Sequence, residues 1–197
     1  MSQTPYSFAG DDCFVIEQYN DRAPFASFLP GIAGVAGRPA WVFYVNRGQA
    51  VASFGVRNKD GAFLEFHPAD KAYRLTASRG FRTFLRITDE AGTRTHEPFQ
   101  RGAGPDVRQR LCITPHEVGV EEIHPGLGLR LRADAFTLPE APLAALVRRV
   151  QIDNTSTRAV RVEVVDGLPQ VLPYGLDQWG VKFMSRTLEA YMRVEGV

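Results

Sequence analysis

The sequence predicts an all-β fold, in the main an antiparallel β-sandwich, with a short helix near its C-terminal end. Three observations predict it: many short runs of β-branched and aromatic residues, turn signals of Asn, Asp and Gly between them, and few stripes of helical spacing. Trp41, Phe43 and Val45 alternate with Val42, Tyr44 and Asn46, so a strand apolar on both faces is expected in the middle of the structure. Residues 46–49, NRGQ, reverse the chain. A second strand then alternates Val51, Ser53 and Gly55 with Ala52, Phe54 and Val56, the NKDG run at 58–61 turns again, and a third strand follows through Phe63, Leu64 and Phe66.

Further strands are predicted in AYRLTA near Tyr73, FRTFLRIT near Phe84, RLCIT near Cys112, HEVGVEEI near Val120 and LGLRLRADAF near Leu131. DEAG at 89–92 and HPGLG at 124–128 read as turns. LVRRVQID and RAVRVEVVDG flank a polar NTST at 154–157, which predicts another hairpin. Two segments break the pattern. Residues 24–39, PFASFLPGIAGVAGRP, hold too much Gly and Pro for a regular element, yet are too apolar for a solvated loop, so they should pack against something. Residues 175–186 offer Asp177 as a helix N-cap, with Trp179 and Phe183 four apart on one face. From Thr187 the alternation of Leu188, Ala190, Met192 and Val194 predicts a strand, with one longer helix as the competing reading. That strand runs almost to Val197 without a turn. The expectation is one sandwich domain over 1–197, truncated, whose open edge invites another chain, a homodimer included.

The 197 residues suffice for one sizeable core, and 44% hydrophobic with 23% charged residues is the composition of a globular protein. A net charge of +1 supplies no basic surplus for a nucleic acid, and no stretch of about 20 apolar residues offers a membrane span. The Arg pairs at 108/110 and 148/149 are expected on solvated sheet faces, with neighbours pointing to opposite sides. Cys13 and Cys112 match neither a metal nor a redox spacing and are expected as free buried thiols; with no signal-like start, a cytoplasmic protein is expected.

Catalytic constellations are sparse. There is no HExxH, CxxC, phosphate-binding GxxxxGK or GxSxG pattern, and GIAGVAG at 31–37 lacks the strand and acidic partner of a dinucleotide site. His67, His96, His116 and His124 are scattered without specified ligand partners, so no metal or other cofactor is expected. Neither Asp11 with Asp12 nor Glu121 with Glu122 makes a glycosidase pair, because adjacent strand residues face opposite ways.

Two blocks carry a family resemblance: PFASFLPGIAGVAGRPAWVFYVNRGQAVASFGV at 24–56, and DGLPQVLPYGLDQW at 166–179 followed by KFMSRTLEAY at 182–191. Together they resemble the N-terminal region of the cellobiose phosphorylase-like glycoside phosphorylases, especially those acting on β-glucan oligosaccharides. The resemblance implies reversible, inverting cleavage of β-linked gluco-oligosaccharides, in which inorganic phosphate, the co-substrate, attacks the anomeric carbon and α-glucose 1-phosphate leaves. It also implies that one carboxylic acid protonates the departing oxygen, supplied by a helical-barrel catalytic domain that follows the sandwich in the chain. No segment here looks like that barrel, so no catalytic acid is assigned and Asp166 is read as structural.

Substrate positioning is what remains for this chain. Asn46, Arg47 and Gln49 sit at a hairpin from which they would reach sugar hydroxyls, or in the case of Arg47 phosphate or a structural carboxylate, while turn chemistry and interdomain packing are the favoured account of the same residues. Trp41 and Trp179, with Tyr44 and Tyr174, offer flat faces to sugar rings or belong to the core. Phe25, Phe28, Leu29 and Ile32 either fill a seam against the catalytic domain or plug the end of the sandwich. The rival reading is a non-catalytic carbohydrate-binding or assembly module.

Overall fold

A computed structural model describes residues 5–191, apart from 11, 31, 91 and 174. Its strands are antiparallel and form three sheets. The largest combines β1 (Tyr6–Ala9), β2 (Cys13–Glu17), β9 (Arg108–Ile113), β10 (Glu117–His124), β11 (Leu129–Thr137) and β12 (Leu146–Asn154) in the order β1-β2-β9-β10-β11-β12. A four-stranded sheet runs β3 (Ala26–Leu29), β4 (Trp41–Val45), β5 (Val51–Gly55) and β6 (Ala62–Leu64). A three-stranded sheet has β7 (Arg82–Asp89) between β13 (Arg161–Gly167) and β8 (Gly92–His96). One buried cluster joins all three: Ile16, Leu111 and Leu131 come from the first, Val42 and Val51 from the second, Leu85 and Ile87 from the third. This is the sandwich core that period-two patterning demands.

The two-faced apolar pattern of β4 has a structural cause. Val42 and Tyr44 face the sandwich core, whereas Phe43 and Val45 lie under an α-helix, α1 (Ala69–Arg79), that supplies Ala72 and Tyr73. Residues 72–77 were expected as a strand from the alternation of AYRLTA; they are helical. The stripe Ala69, Ala72, Tyr73 and Thr76 has helical spacing, Pro68 starts the helix without needing to donate an N–H, and Asp70 meets Arg74 one turn on at 3.4 Å.

Three other expectations are corrected. NTST does not close a hairpin: among the described residues β12 pairs with β11 and β13 pairs with β7, so the chain crosses from one sheet to the other. The turn is held within itself, with Asn154 accepting the Ser156 N–H at 3.0 Å and donating to the Arg158 carbonyl at 2.7 Å. Residues 24–39 are not wholly irregular either, since Ala26–Leu29 forms β3 against β4. Finally, the C-terminal helix α2 (Gln178–Tyr191) continues through the strand expected from Thr187. It begins where expected, with Asp177 accepting the Gly180 N–H at 2.7 Å. Residues 192–197, with Met192 and Val194, lie outside the described residues, and with them the expected open edge.

Cys13 and Cys112 are joined in a disulfide, their Cα atoms 6.0 Å apart, rather than being free thiols. Cys112 lies opposite Val15 in the β2–β9 ladder, and Cys13 shares a face with Val15, so residues 99 apart in the chain become diagonal neighbours. Among the described residues no helix is long and apolar enough to cross a membrane.

Candidate functional site

The NRGQ hairpin lies between the sandwich core and α1. It is tight: the Val45 N–H reaches the Ala50 carbonyl at 2.9 Å, and both Gly48 (φ +53°) and Ala50 (φ +66°) adopt left-handed backbone. A Cβ on Gly48 would come within 2.8 Å of the Ala77 Cα on α1, so only glycine fits this approach.

Asn46 is fully buried and its amide is saturated. Oδ1 accepts the Phe25 N–H at 2.8 Å, and Nδ2 donates to the carbonyls of Tyr19 (3.1 Å) and Ala23 (2.9 Å). Arg47 donates to the carbonyls of Asn46 (2.6 Å), Tyr19 (3.3 Å) and Arg22 (3.1 Å), with its guanidinium 5.7 Å from the Tyr73 ring centroid. Burial, and then the neighbouring Arg101, pull its pKa below the ordinary value. Gln49 is buried as well. It donates to the Thr83 hydroxyl at 3.0 Å and accepts from Arg148, while Thr83 donates to Asp166 at 2.6 Å and Arg148 forms an ion pair with Asp166.

The hairpin backbone is tied inward too. The Tyr19 hydroxyl donates to the Gly48 carbonyl, and Asn20 accepts the Gly48 N–H at 2.9 Å while donating to Gln109 at 2.8 Å. Gln109 donates in turn to the fully buried Glu122 at 2.8 Å, which also accepts the Phe99 N–H and meets His96 Nε2, both at 2.6 Å. Burial pushes the Glu122 pKa up, but these hydrogen bonds outweigh it and hold the carboxyl below its ordinary value. A continuous buried polar chain therefore runs from the hairpin to the far sheet.

The five residues singled out from the sequence fall into two groups. Asn46, Arg47 and Gln49 share the hairpin end of the four-stranded sheet. Trp41 stands at the other end of β4, half-buried against Phe28 and Phe66, with its indole N–H on the Asn58 carbonyl at 3.2 Å. Trp179 is anchored near that same turn, because the Gln178 N–H reaches Asp60 at 3.0 Å; it is 63% exposed and packs on Phe183 at 5.5 Å. Tyr174 lies outside the described residues, and Tyr44 is buried in the core. The apolar loop is fastened from the opposite side, where Glu140 accepts the Val35 and Ala36 N–H groups at 2.9 and 3.2 Å.

Sequence reasoning did not find Thr83, Arg148 or Glu122 as partners. Arg148 in particular was expected on a solvated face, yet its side chain is 9% exposed and stacks 4.9 Å from the Phe81 centroid, whereas neighbouring Arg149 is 60% exposed. The signal was present: Arg148 has the same parity as Leu146, Val150 and Ile152, all packed on the core. Chemically, the hairpin is a rigid bracket whose polar atoms are largely committed to protein partners. Among the described residues no group of three or more His, Cys, Asp or Glu is placed to hold a metal. Neither protein-family models nor curated proteins yield a match to the chain.

Proposed function

We propose that the chain is the N-terminal substrate-positioning domain of an inverting phosphorylase that cleaves β-linked gluco-oligosaccharides with inorganic phosphate to give α-glucose 1-phosphate. The supporting observation is that the blocks carrying the resemblance, far apart in sequence, meet in one polar bracket. PFASFLPGIAG joins WVFYVNRGQ through Phe25 and Asn46, and DGLP joins the same hairpin through Asp166, Arg148 and Gln49. A bracket so constrained holds a surface in one geometry, which is what positioning a reacting bond requires. The catalytic acid belongs to the barrel, and no residue here is given that role. The proposed location is the cytoplasm, where Cys13 and Cys112 would meet a reducing pool; alkylation of freshly lysed cells reports whether they are thiols there.

The test is phosphate-dependent release of glucose 1-phosphate from cello- and laminari-oligosaccharides by the protein expressed from its full reading frame. Chain 1–197 alone is expected to release none. Phosphate-independent release of glucose would replace the phosphorylase with a hydrolase, and no turnover with any β-glucan would sink the reading. The exposed Trp179–Phe183 pair favours a second reading, a carbohydrate-binding or assembly module, for which saturable glycan binding lost in Trp179→Ala would speak.

A further inference from the structure

The outer face of the three-stranded sheet is separate from the hairpin bracket. Alternation along β7 sends Thr83, Leu85 and Ile87 inward and leaves Phe84 and Arg86 outward. Register then sets Val165 directly across from Phe84, and Glu163 and Thr95 on either side of Arg86. With Glu97 these residues line a groove of about 680 Å³, inside the range of about 300–1,000 Å³ common to small-molecule sites. Its floor is apolar, Phe84 being 40% and Val165 71% exposed. Its walls are the Arg86–Glu163 pair, Thr95 and Glu97. Arg82 grips Glu97 through two bonds at 2.7 and 2.8 Å with its guanidinium 4.6 Å from the Phe84 centroid, and Arg86 pairs with Glu163, which Arg161 also reaches at 3.0 Å.

We propose that this groove binds a neutral oligosaccharide, one pyranose ring lying against Phe84 and Val165 with its hydroxyls between the Arg86–Glu163 pair and Glu97, which Arg82 holds in place. Each of these charges is already held by an opposite one, so the groove offers no lone charge to an ionic ligand. Paired guanidinium and carboxylate groups nevertheless keep spare donors and acceptors side by side, the combination that vicinal hydroxyls require. A stable protein partner needs about 800 Å² from each side around an apolar centre, whereas here the exposed apolar side chains, Phe84, Val164 and Val165, are hemmed in by charge. Nucleic acid needs a run of unpaired cations, whereas Arg82, Arg86 and Arg161 are each paired with Glu97 or Glu163. Choosing β-glucans as probes rests on the proposed function, but binding here needs neither phosphate nor turnover.

Titration of isotope-labelled chain 1–197 with cellohexaose, laminarihexaose and maltohexaose, followed by backbone amide shifts, tests it. The expected result is saturable shifts at Phe84, Arg86, Thr95 and Val165, with Kd raised about tenfold or more in Phe84→Ala and unchanged in Trp179→Ala. Val165→Asp, at an exposed position, gives the same weakening by an independent route should Phe84→Ala disturb the sheet. No shifts at millimolar oligosaccharide would overturn the proposal, as would shifts confined to α2 that vanish in Trp179→Ala. So would concentration-dependent doubling of the mass in light scattering that Val165→Asp abolishes, which would give the face to a second copy of the chain. Groove binding without glucose 1-phosphate release from the full protein would remove only the phosphorylase, and release without groove binding only the groove.

Discussion

The Asn46 side chain and the Phe25 backbone N–H meet at 2.8 Å, and this bond joins the apolar loop to the NRGQ hairpin. The same amide satisfies two further carbonyls, those of Tyr19 and Ala23, in a site closed to water. Asn46→Ala leaves one N–H and two carbonyls without these partners, and we expect a loss of about 2–4 kcal/mol. Urea denaturation measures it; a midpoint within error of the parent would show that the loop is held by packing alone.

Arg148 connects Gln49, Thr83 and Asp166, so it carries the link between the hairpin and the three-stranded sheet. Its side chain is buried while Asp166 keeps partial access to water, which softens the cost of stranding the carboxylate. Arg148→Met is expected to cost about 2–3 kcal/mol, and Asp166→Asn less, because an amide still accepts from Thr83. A double-mutant cycle between the two should give a coupling of about 1–2 kcal/mol. A coupling near zero would mean that Arg148 acts through its packing on Phe81.

Gly48 offers a sharper test of the bracket's rigidity. Its left-handed backbone and its approach to Ala77 both oppose a side chain, so Gly48→Ala is expected to cost about 1–3 kcal/mol. Thermal unfolding reads the loss, and an unchanged midpoint would mean that α1 shifts freely away from the turn.

The sheet was legible wherever a strand has one buried face, because period two then writes burial into the sequence, as along Leu85 and Ile87 or Val118 and Val120. Parity holds an unused signal for Glu122 as well, since it follows Val118 and Val120 on the inward face, which is why so buried a carboxylate needs three partners. Helix α1 was obscured because a six-residue window of alternating Tyr73 and Leu75 looks like a strand; the stripe through Ala69, Ala72 and Thr76 appears only over two turns. Pairing is a different matter. NTST predicts a reversal, but whether β13 returns to β12 or joins β7 depends on the match of Val162 and Val164 with Ile87 and Leu85, which no local pattern contains. The same holds for Cys13 with Cys112, whose proximity exists only once β2 has paired with β9.

That cross-link closes a long loop, and a chain-entropy treatment of about 100 residues gives about 4–5 kcal/mol of stabilisation, an upper figure for adjacent strands already held by a ladder. Reduction, or Cys13→Ala with Cys112→Ala, is expected to lower stability by about 2–4 kcal/mol without changing the fold. Comparing urea midpoints with and without dithiothreitol decides it, and identical midpoints would show the ladder alone to be sufficient.

Acid should destabilise the protein through His67 and His124. His67 is buried with Lys71 and Arg79 nearby, and burial first, then those cations, lower its pKa from 6.5 to about 4, although the Glu65 carboxylate lies 3.4 Å from Nδ1. A base whose pKa falls on folding takes up its proton in the unfolded chain first. Its stabilisation is therefore complete above about pH 6.5 and is lost as pH falls toward about 4. His124, lowered by burial and by His96, acts in the same sense. Glu122 extends the loss further down, since its depressed carboxyl contributes stability that disappears as pH falls through its folded value. Stability should decline from pH 7 to pH 4, and His67→Gln, which cannot titrate, should flatten that decline by about 2–3 kcal/mol. Denaturation midpoints of both proteins across this range measure the difference. Parallel profiles would show that His67 keeps its ordinary proton affinity in the folded state, with Glu65 compensating for burial.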